Sequence, residues 1–255
     1  MKRTYFFLII FFLVISGCPS AKQDSSDGEK DAPADSSTAL QILQRMIKTY
    51  QAADSYQDQG ILTLSYRYAD EPRKDVSQAA VSWAKPNRLR LRVYQLSLTV
   101  DGDKLRARVA DESTNNIGNQ LLVRHAGEGT SLTDLYEDPL LRDVLTGGRG
   151  GQPVQLELLM QENPLETFLG KDVVLEKMSP VSIEGHRCDR VAAKTADGRY
   201  ELWIDQQQFL LRRLVYPVAS FVKDMLQDPQ IRDVQLVAEL RSAELNPQLG
   251  DSNFL

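Results

Sequence analysis

Between about Gln59 and Arg124 the sequence is a succession of short apolar and polar alternations broken by turn residues, with no long helical period between them. Gly60 to Tyr68 puts Leu62, Leu64, Tyr66 and Tyr68 on one strand face and Thr63, Ser65 and Arg67 on the other. Val76 to Ala84 groups Ala79, Val81 and Trp83 before a Lys85-Pro86-Asn87 turn. Arg88 to Val93 sets Arg88, Arg90 and Arg92 against Leu89, Leu91 and Val93. Leu96, Leu98 and Val100 run into Asp101-Gly102, a tight two-residue hairpin signal, and Leu105, Ala107 and Val109 continue beyond it. Such a meander has one apolar and one wet face, so something must cover the apolar one.

Helices to do this are readable on either side. Thr38 with Gln41 makes a capping box, and Leu40, Leu43, Met46, Ile47 and Tyr50 recur at helical spacing, in a helix that should end near Asp54 or Ser55. Asp111 to Gly118 reads as a polar loop and Leu121 to Arg124 as a short strand. Asp134 to Leu145 reads as helical, with Pro139 starting or kinking it. Thr146 to Gly151 is a glycine-rich break. Pro153 to Gln161 is a second amphipathic helix carrying Val154, Leu156, Leu158 and Leu159, and a short turn follows near Leu165 to Leu169. These central helices have the composition of a lid, or equally of a helix-loop-helix that completes the core.

The second half returns to strands. Val173 to Met178 and Val181 to Ile183 are separated by Ser179-Pro180; Cys188 to Thr195 pairs through Ala196-Asp197-Gly198 with Tyr200 to Ile204. Phe209 to Tyr216 is another strand, Phe221 to Leu226 a helical turn, and Val234 to Ala243 the last alternating run. Nine to eleven strands are too many for one flat sheet without strong curvature.

The N-terminus carries an address. Met1-Lys2-Arg3 is basic, and Tyr5 to Ile15 is an apolar run too short to span a bilayer comfortably, which reads as a secretory signal. It ends in Ile15-Ser16-Gly17-Cys18, which resembles the bacterial lipobox, where cleavage falls before a cysteine that then carries lipid. The expected organisation is a signal peptide over 1–17, a lipidated Cys18 with a flexible tether over 18–37, and a folded domain over 38–255. Pro19 to Ser37 is rich in Ser, Asp, Lys, Ala and Pro and buries too little apolar surface to offset its ordering entropy. The localisation that follows is a bacterial membrane surface facing the periplasm.

Composition and spacing exclude several classes. Without residues 1–17 the chain keeps 28 basic residues against 35 acidic, a net −7, and reads as having no basic cluster, which argues against nucleic acid. With Cys18 acylated, Cys188 is the one remaining thiol, so an internal disulfide is excluded; it reads as a small buried apolar residue. His125 and His186 stand on separate strands without metal-ligand spacing. No Gly-x-Ser-x-Gly elbow is present, and the Gly147 to Gly151 cluster lacks a following Lys-Ser/Thr. Neither an enzyme, a cofactor nor a metal is expected.

Three segments have the look of a family. Trp83-Ala-Lys-Pro-Asn-Arg-Leu-Arg-Leu91 followed by Leu98-Thr-Val-Asp-Gly102 is similar to a strand–turn–strand of the bacterial lipoprotein-carrier superfamily, which includes the periplasmic lipoprotein chaperone, the outer-membrane lipoprotein receptor and sigma-factor regulatory sensors. Tyr200 to Asp205 with Leu211-Arg-Arg213 resembles its later Trp-x-Asp pattern, and Asp251-Ser-Asn-Phe254 its closing segment. The resemblance, over about 38–255, implies an α+β, mostly antiparallel fold: an incomplete β-barrel with helices on its concave face and a cavity for acyl chains between. The family's longer members continue past the segment matching Phe254-Leu255, some into a thioredoxin-like domain; without a Cys-x-x-Cys no such redox activity is expected here.

The expected function is a membrane-anchored, non-catalytic binder of acyl chains or lipidated proteins, with Leu62, Leu64, Tyr66, Val81, Trp83, Leu89, Leu91, Leu98 and Val100 as the cavity wall. Taken singly, each of these is better read as core beneath the helices. The alternative is an anchored envelope sensor whose partner is another envelope protein. The anchor is directly testable: a clickable palmitate analogue should label the exported protein, and Cys18→Ala should abolish the label and release the protein into the soluble fraction.

Overall fold

The computed structural model describes residues 37–110, 120–127, 129–147, 151–222 and 225–254. The signal segment, Cys18, nearly all of the tether and the Asp111 to Gly118 loop therefore lie outside the described residues. Ser37 to Leu255 forms one compact unit, and packing is already evident at Ser37, which is buried and whose carbonyl accepts from Lys177 Nζ at 3.1 Å.

One antiparallel sheet organises this unit. Its strands are β1 (Ser55–Tyr68), β2 (Glu71–Ala84), β3 (Arg88–Val93), β4 (Leu96–Asp101), β5 (Lys104–Val109), β6 (Gln120–His125), β7 (Val174–Ile183), β8 (His186–Thr195), β9 (Gly198–Asp205), β10 (Leu211–Tyr216), β11 (Ile231–Leu240) and the two-residue β12 (Glu244–Leu245). Their order is β6-β5-β4-β3-β2-β1-β11-β10-β9-β8-β7, with β12 against β1. The path does not close, so β6 and β7 are its edges. Pro180 sits at a bulge in β7, where Met178 and Val181 flank a register shift; an edge strand tolerates the missing N–H, so the two short runs of the sequence are one strand.

The helices lie against the apolar face. They are α1 (Ala39–Gln51), α2 (Leu132–Glu137), α3 (Pro139–Gly147), α4 (Val154–Met160), α5 (Glu166–Leu169) and α6 (Val218–Phe221). The Thr38–Gln41 capping box is present, but the buried stripe of α1 is Ala39, Ile42, Leu43, Met46, Ile47 and Tyr50. Leu40 is exposed, because it lies about 100° around the helix from that stripe. Helix α1 ends at Gln51, short of the expected Asp54. Pro139 starts α3, whose first turn is capped by Asp138 Oδ1 accepting from Leu140 N and Leu141 N at 2.9 and 3.2 Å. Helices α1 and α5 reach β8, α1 and α2 reach α4, and Arg124 of β6 donates to Asp134 O of α2 at 2.6 Å. The helix layer thus runs from one sheet edge to the other inside the curve, and the chain is an open half-barrel. No helix among the described residues is long and apolar enough to cross a membrane.

Strand pairing corrects the hairpin between β4 and β5: Asp101 pairs with Lys104, so the turn residues are Gly102 and Asp103, one place later than the sequence signal, with Gly102 at φ +59°. The turn before β3 is tied to this hairpin by Asn87. Its Nδ2 donates to Gly102 O and Gly127 O, both at 2.6 Å, and its Oδ1 accepts from Thr130 N at 2.8 Å. The outer face is held by ion and ring contacts. Phe254 is buried beneath the Arg88 guanidinium at 4.1 Å, and Trp203 lies between Arg190 and Arg213 at 5.5 and 4.6 Å. Asn87→Ala removes three partly buried hydrogen bonds, so the urea midpoint should fall by the equivalent of about 1–2 kcal/mol. An unchanged midpoint contradicts the pinning role.

Candidate functional site

The inner face of the central strands is built from small residues. Register places Ala79, Gly60 and Leu240 in one cross-strand row, Ser77, Leu62 and Ala238 in the next, and Asp75, Leu64 and Leu236 in the third. Over the second and third of these rows, where Ser77 and Asp75 stand beside Leu62 and Leu64, the helices leave space unfilled. A cavity of about 830 Å³ lies there, lined by Leu62, Leu64, Asp75, Val76, Ser77, Tyr94, Gln95, Asp143, Val144 and Leu236. Leu64 and Leu236 are fully buried in its floor, Val144 comes from α3, and the exposed Asp143 stands at the rim. Tyr94, in the β3–β4 turn at φ +53°, is anchored by its hydroxyl donating to Gly151 O at 2.8 Å. An apolar floor with a polar rim suits an amphiphile, and the volume is that of a small-molecule site.

Next to the cavity the helices are pinned by a buried carboxylate. Asp58 is 1% exposed on the inner face of β1. It accepts from Tyr56 Oη and Gln155 Nε2, both at 2.7 Å to Oδ2, and from Val81 N at 3.2 Å to Oδ1. Tyr56 in turn bonds Tyr50 of α1, whose hydroxyl accepts from Leu211 N at 3.3 Å. The network therefore joins β1, β2, β10, α1 and α4. Burial pushes the Asp58 pKa up to about 6, against the lowering effect of its three donors. Burial likewise raises both tyrosine hydroxyls far above their ordinary range.

The nine wall residues named from sequence all sit on the inner face, but not in one place. Leu62 and Leu64 line the cavity, and Tyr66 lies half-buried beyond them on the same strand face. Val81, Leu89, Leu91, Leu98 and Val100 are fully buried core, and Trp83 packs half-buried against them. Asp75, Ser77, Leu236, Val144, Tyr94 and Asp58 were not among the candidates. Asp75 and Ser77 share the strand parity of Ala79 and Val81, and Asp58 that of Leu62, which is a signal in the sequence; Val144 and Leu236 arrive from distant segments and leave none.

His125 faces Asp103 at 3.9 Å on the outer side of β6, whereas His186 Nδ1 lies 2.8 Å from Asp205 Oδ2 near the other edge. Asp205 also accepts from Arg212, Gln207 N and Gln208 N, and these contacts hold its carboxyl below the ordinary range despite burial. Cys188 is buried, and burial pushes its thiol up to about 11, away from nucleophilic character.

No family model and no curated protein matches the sequence. Among solved structures the chain is similar to several at low sequence identity. One is a LolA superfamily protein from Nitrosomonas europaea, at 14% identity over 86% of this chain and 98% of that one, with a TM-score of 0.29. Another is the lipoprotein LppX of Mycobacterium tuberculosis, at 12% identity over 83% and 97%, with a TM-score of 0.41. A third is MucB, at 11% identity over 85% and 62%, also with a TM-score of 0.41. At these scores the likenesses carry no argument about function, and the half-barrel rests on its own registers and contacts.

The buried carboxylate sets a pH dependence. A folded-state pKa near 6 lies above the ordinary 3.8, so between those values the folded form binds the extra proton. Stability from this group therefore rises as pH falls from about 7 to 5. Asp205 works oppositely, but only below the ordinary carboxylate range. In urea melts, the stability of the native protein relative to Asp58→Asn should increase by about 1 kcal/mol between pH 7.5 and pH 5. A difference that is flat or reversed over that interval contradicts the assignment.

Proposed function

We propose that this protein is a membrane-anchored, non-catalytic carrier that binds an acyl chain, free or as the anchor of a lipidated protein, in the cavity over β1, β2 and β11. The observation that carries this reading is the cavity itself: about 830 Å³, floored by Leu62, Leu64 and Leu236 and rimmed by Asp75, Ser77, Gln95 and Asp143. Each methylene buried on such a floor is worth about 0.8 kcal/mol, so ten suffice for useful affinity without any charged contact. The polar rim gives the ester or headgroup end a place near solvent. The Cys18 anchor and the polar tether belong to the same reading, since they would keep the carrier close to the bilayer from which its cargo comes.

The test is direct. The chain from Ala21 onward keeps every buried core residue among the described residues. After purification, solvent extraction and mass spectrometry should recover acyl lipid bound in a fixed ratio to protein. Leu62→Trp or Val144→Trp should lower that recovery by an order of magnitude while leaving the melting temperature nearly unchanged. An interior free of lipid in the native protein, even after incubation with fatty acid or phospholipid, refutes the carrier reading.

A further inference from the structure

The outer face of the sheet carries a second surface, whose cleft meets the cavity only at the turn residues Tyr94 and Gln95. Strand register assembles it from residues that the sequence scatters. One cross-strand row reads Ala80, Arg92, Ser97, Arg108, Leu121, and the next reads Ser82, Arg90, Thr99, Arg106, Val123. Four arginines stand in these ten positions, in a chain whose net charge is −5, and Arg90 among them donates to Ser252 O and Asn253 O at 3.4 and 3.5 Å. In the third row Arg88 pairs with Asp101 at 2.9 Å and Asp251 at 3.1 Å, and Asp103 lies 3.9 Å from His125. Arg92 and Arg106 are exposed, and β3 and β5 stand two strand spacings apart, about 10 Å, with the hydroxyls of Ser97 and Thr99 between them. A cleft of about 490 Å³ opens between Arg92 and Arg108 over Ser97. Beside the arginine columns, the edge strand presents Leu121 at 73% and Val123 at 62% exposure.

We propose that this face docks on an anionic membrane surface, with the guanidiniums of Arg92 and Arg106 taking lipid phosphates and Leu121 and Val123 entering the interfacial layer. Guanidinium forks over hydroxyls match phosphate oxygens, and exposed aliphatics beside them gain only where an apolar layer lies behind the phosphates. A single-stranded nucleic acid would instead call for aromatic stacking platforms, and neither row holds an aromatic residue. The surface lies on the opposite face of the sheet from the cavity, so its test is independent of the carrier reading.

Flotation of the chain from Ala21 onward, which lacks Cys18, isolates this surface from any lipid anchor. Vesicles of phosphatidylcholine mixed with phosphatidylglycerol should bind it, vesicles of phosphatidylcholine alone should not, and raised salt should weaken the binding. Each arginine removed should lower partition about fivefold, so Arg92→Gln with Arg106→Gln loses over tenfold and the two Glu substitutions lose more. Leu121→Ser with Val123→Ser should reduce binding while leaving its salt dependence. These side chains are exposed, and unchanged circular dichroism confirms that a loss is not unfolding. Binding without preference for phosphatidylglycerol, arginine variants that bind like the native protein, or arginine-dependent capture of a DNA oligonucleotide without vesicle binding each overturns the proposal.

Discussion

The helix layer is fixed to the sheet through one buried carboxylate. Asp58 has no cationic partner among its hydrogen bonds; three neutral donors hold it instead, from its own strand, from β2 and from α4. Removing a carboxylate from water is expensive unless its lone pairs are met, and a network of this kind specifies one arrangement of the parts that meet it. Gln155 can reach Asp58 only with α4 across the Val81 row. Two rows further along, Leu62, Ser77, Leu64, Asp75 and Leu236 line the cavity together with Val144 of α3, so the cavity opens beyond the pinned contact.

This explains which parts of the structure were readable in advance. Strict alternation in β3, β4 and β5 fixed both faces correctly, because period-two patterning needs only local sequence. The first half of β1 was missed because Gln57, Asp58 and Gln59 form a polar run, and a polar run reads as a loop until a partner far along the chain is known. Gln155 is that partner, 97 residues away. The start of β2, Glu71 to Val76, is exposed and mostly polar, so it offers no apolar alternation to read. Likewise the α1 stripe was displaced by one position at its start, since Leu40 and Ala39 both satisfy a helical spacing and only packing chooses between them.

The candidate site was legible to the same extent. The apolar parity of β1 to β4 was plain, yet parity alone does not separate a wall that faces a cavity from one that faces a helix. Leu62 and Leu64 fall on the first side, Leu91 and Leu98 on the second, and the difference lies in the path of α3 and α4. The outer arginines show the converse. Arg88, Arg90 and Arg92 were visible as one strand face and Lys104, Arg106 and Arg108 as another, but a basic cluster emerges only once β4 sets them side by side. An acidic net charge therefore coexists with a concentrated basic surface, and whole-chain charge is a poor guide to what one face meets.

The two surfaces depend on each other through register. Because side chains alternate strictly, sliding β5 by a single residue against β4 would turn Arg106 and Arg108 inward and expel Leu105 and Ala107. Charges buried beneath the helices would then lie against Leu98 and Val100, which are fully buried. The hairpin guards against this at its tip: Gly102 takes the left-handed conformation that a two-residue turn requires, and Asn87 grips its carbonyl from the neighbouring turn. The same short hairpin therefore keeps the apolar wall beneath the helices and the arginines in water. A membrane-facing exterior and an acyl-binding interior can occupy a sheet one residue thick because each strand position is committed to one side only.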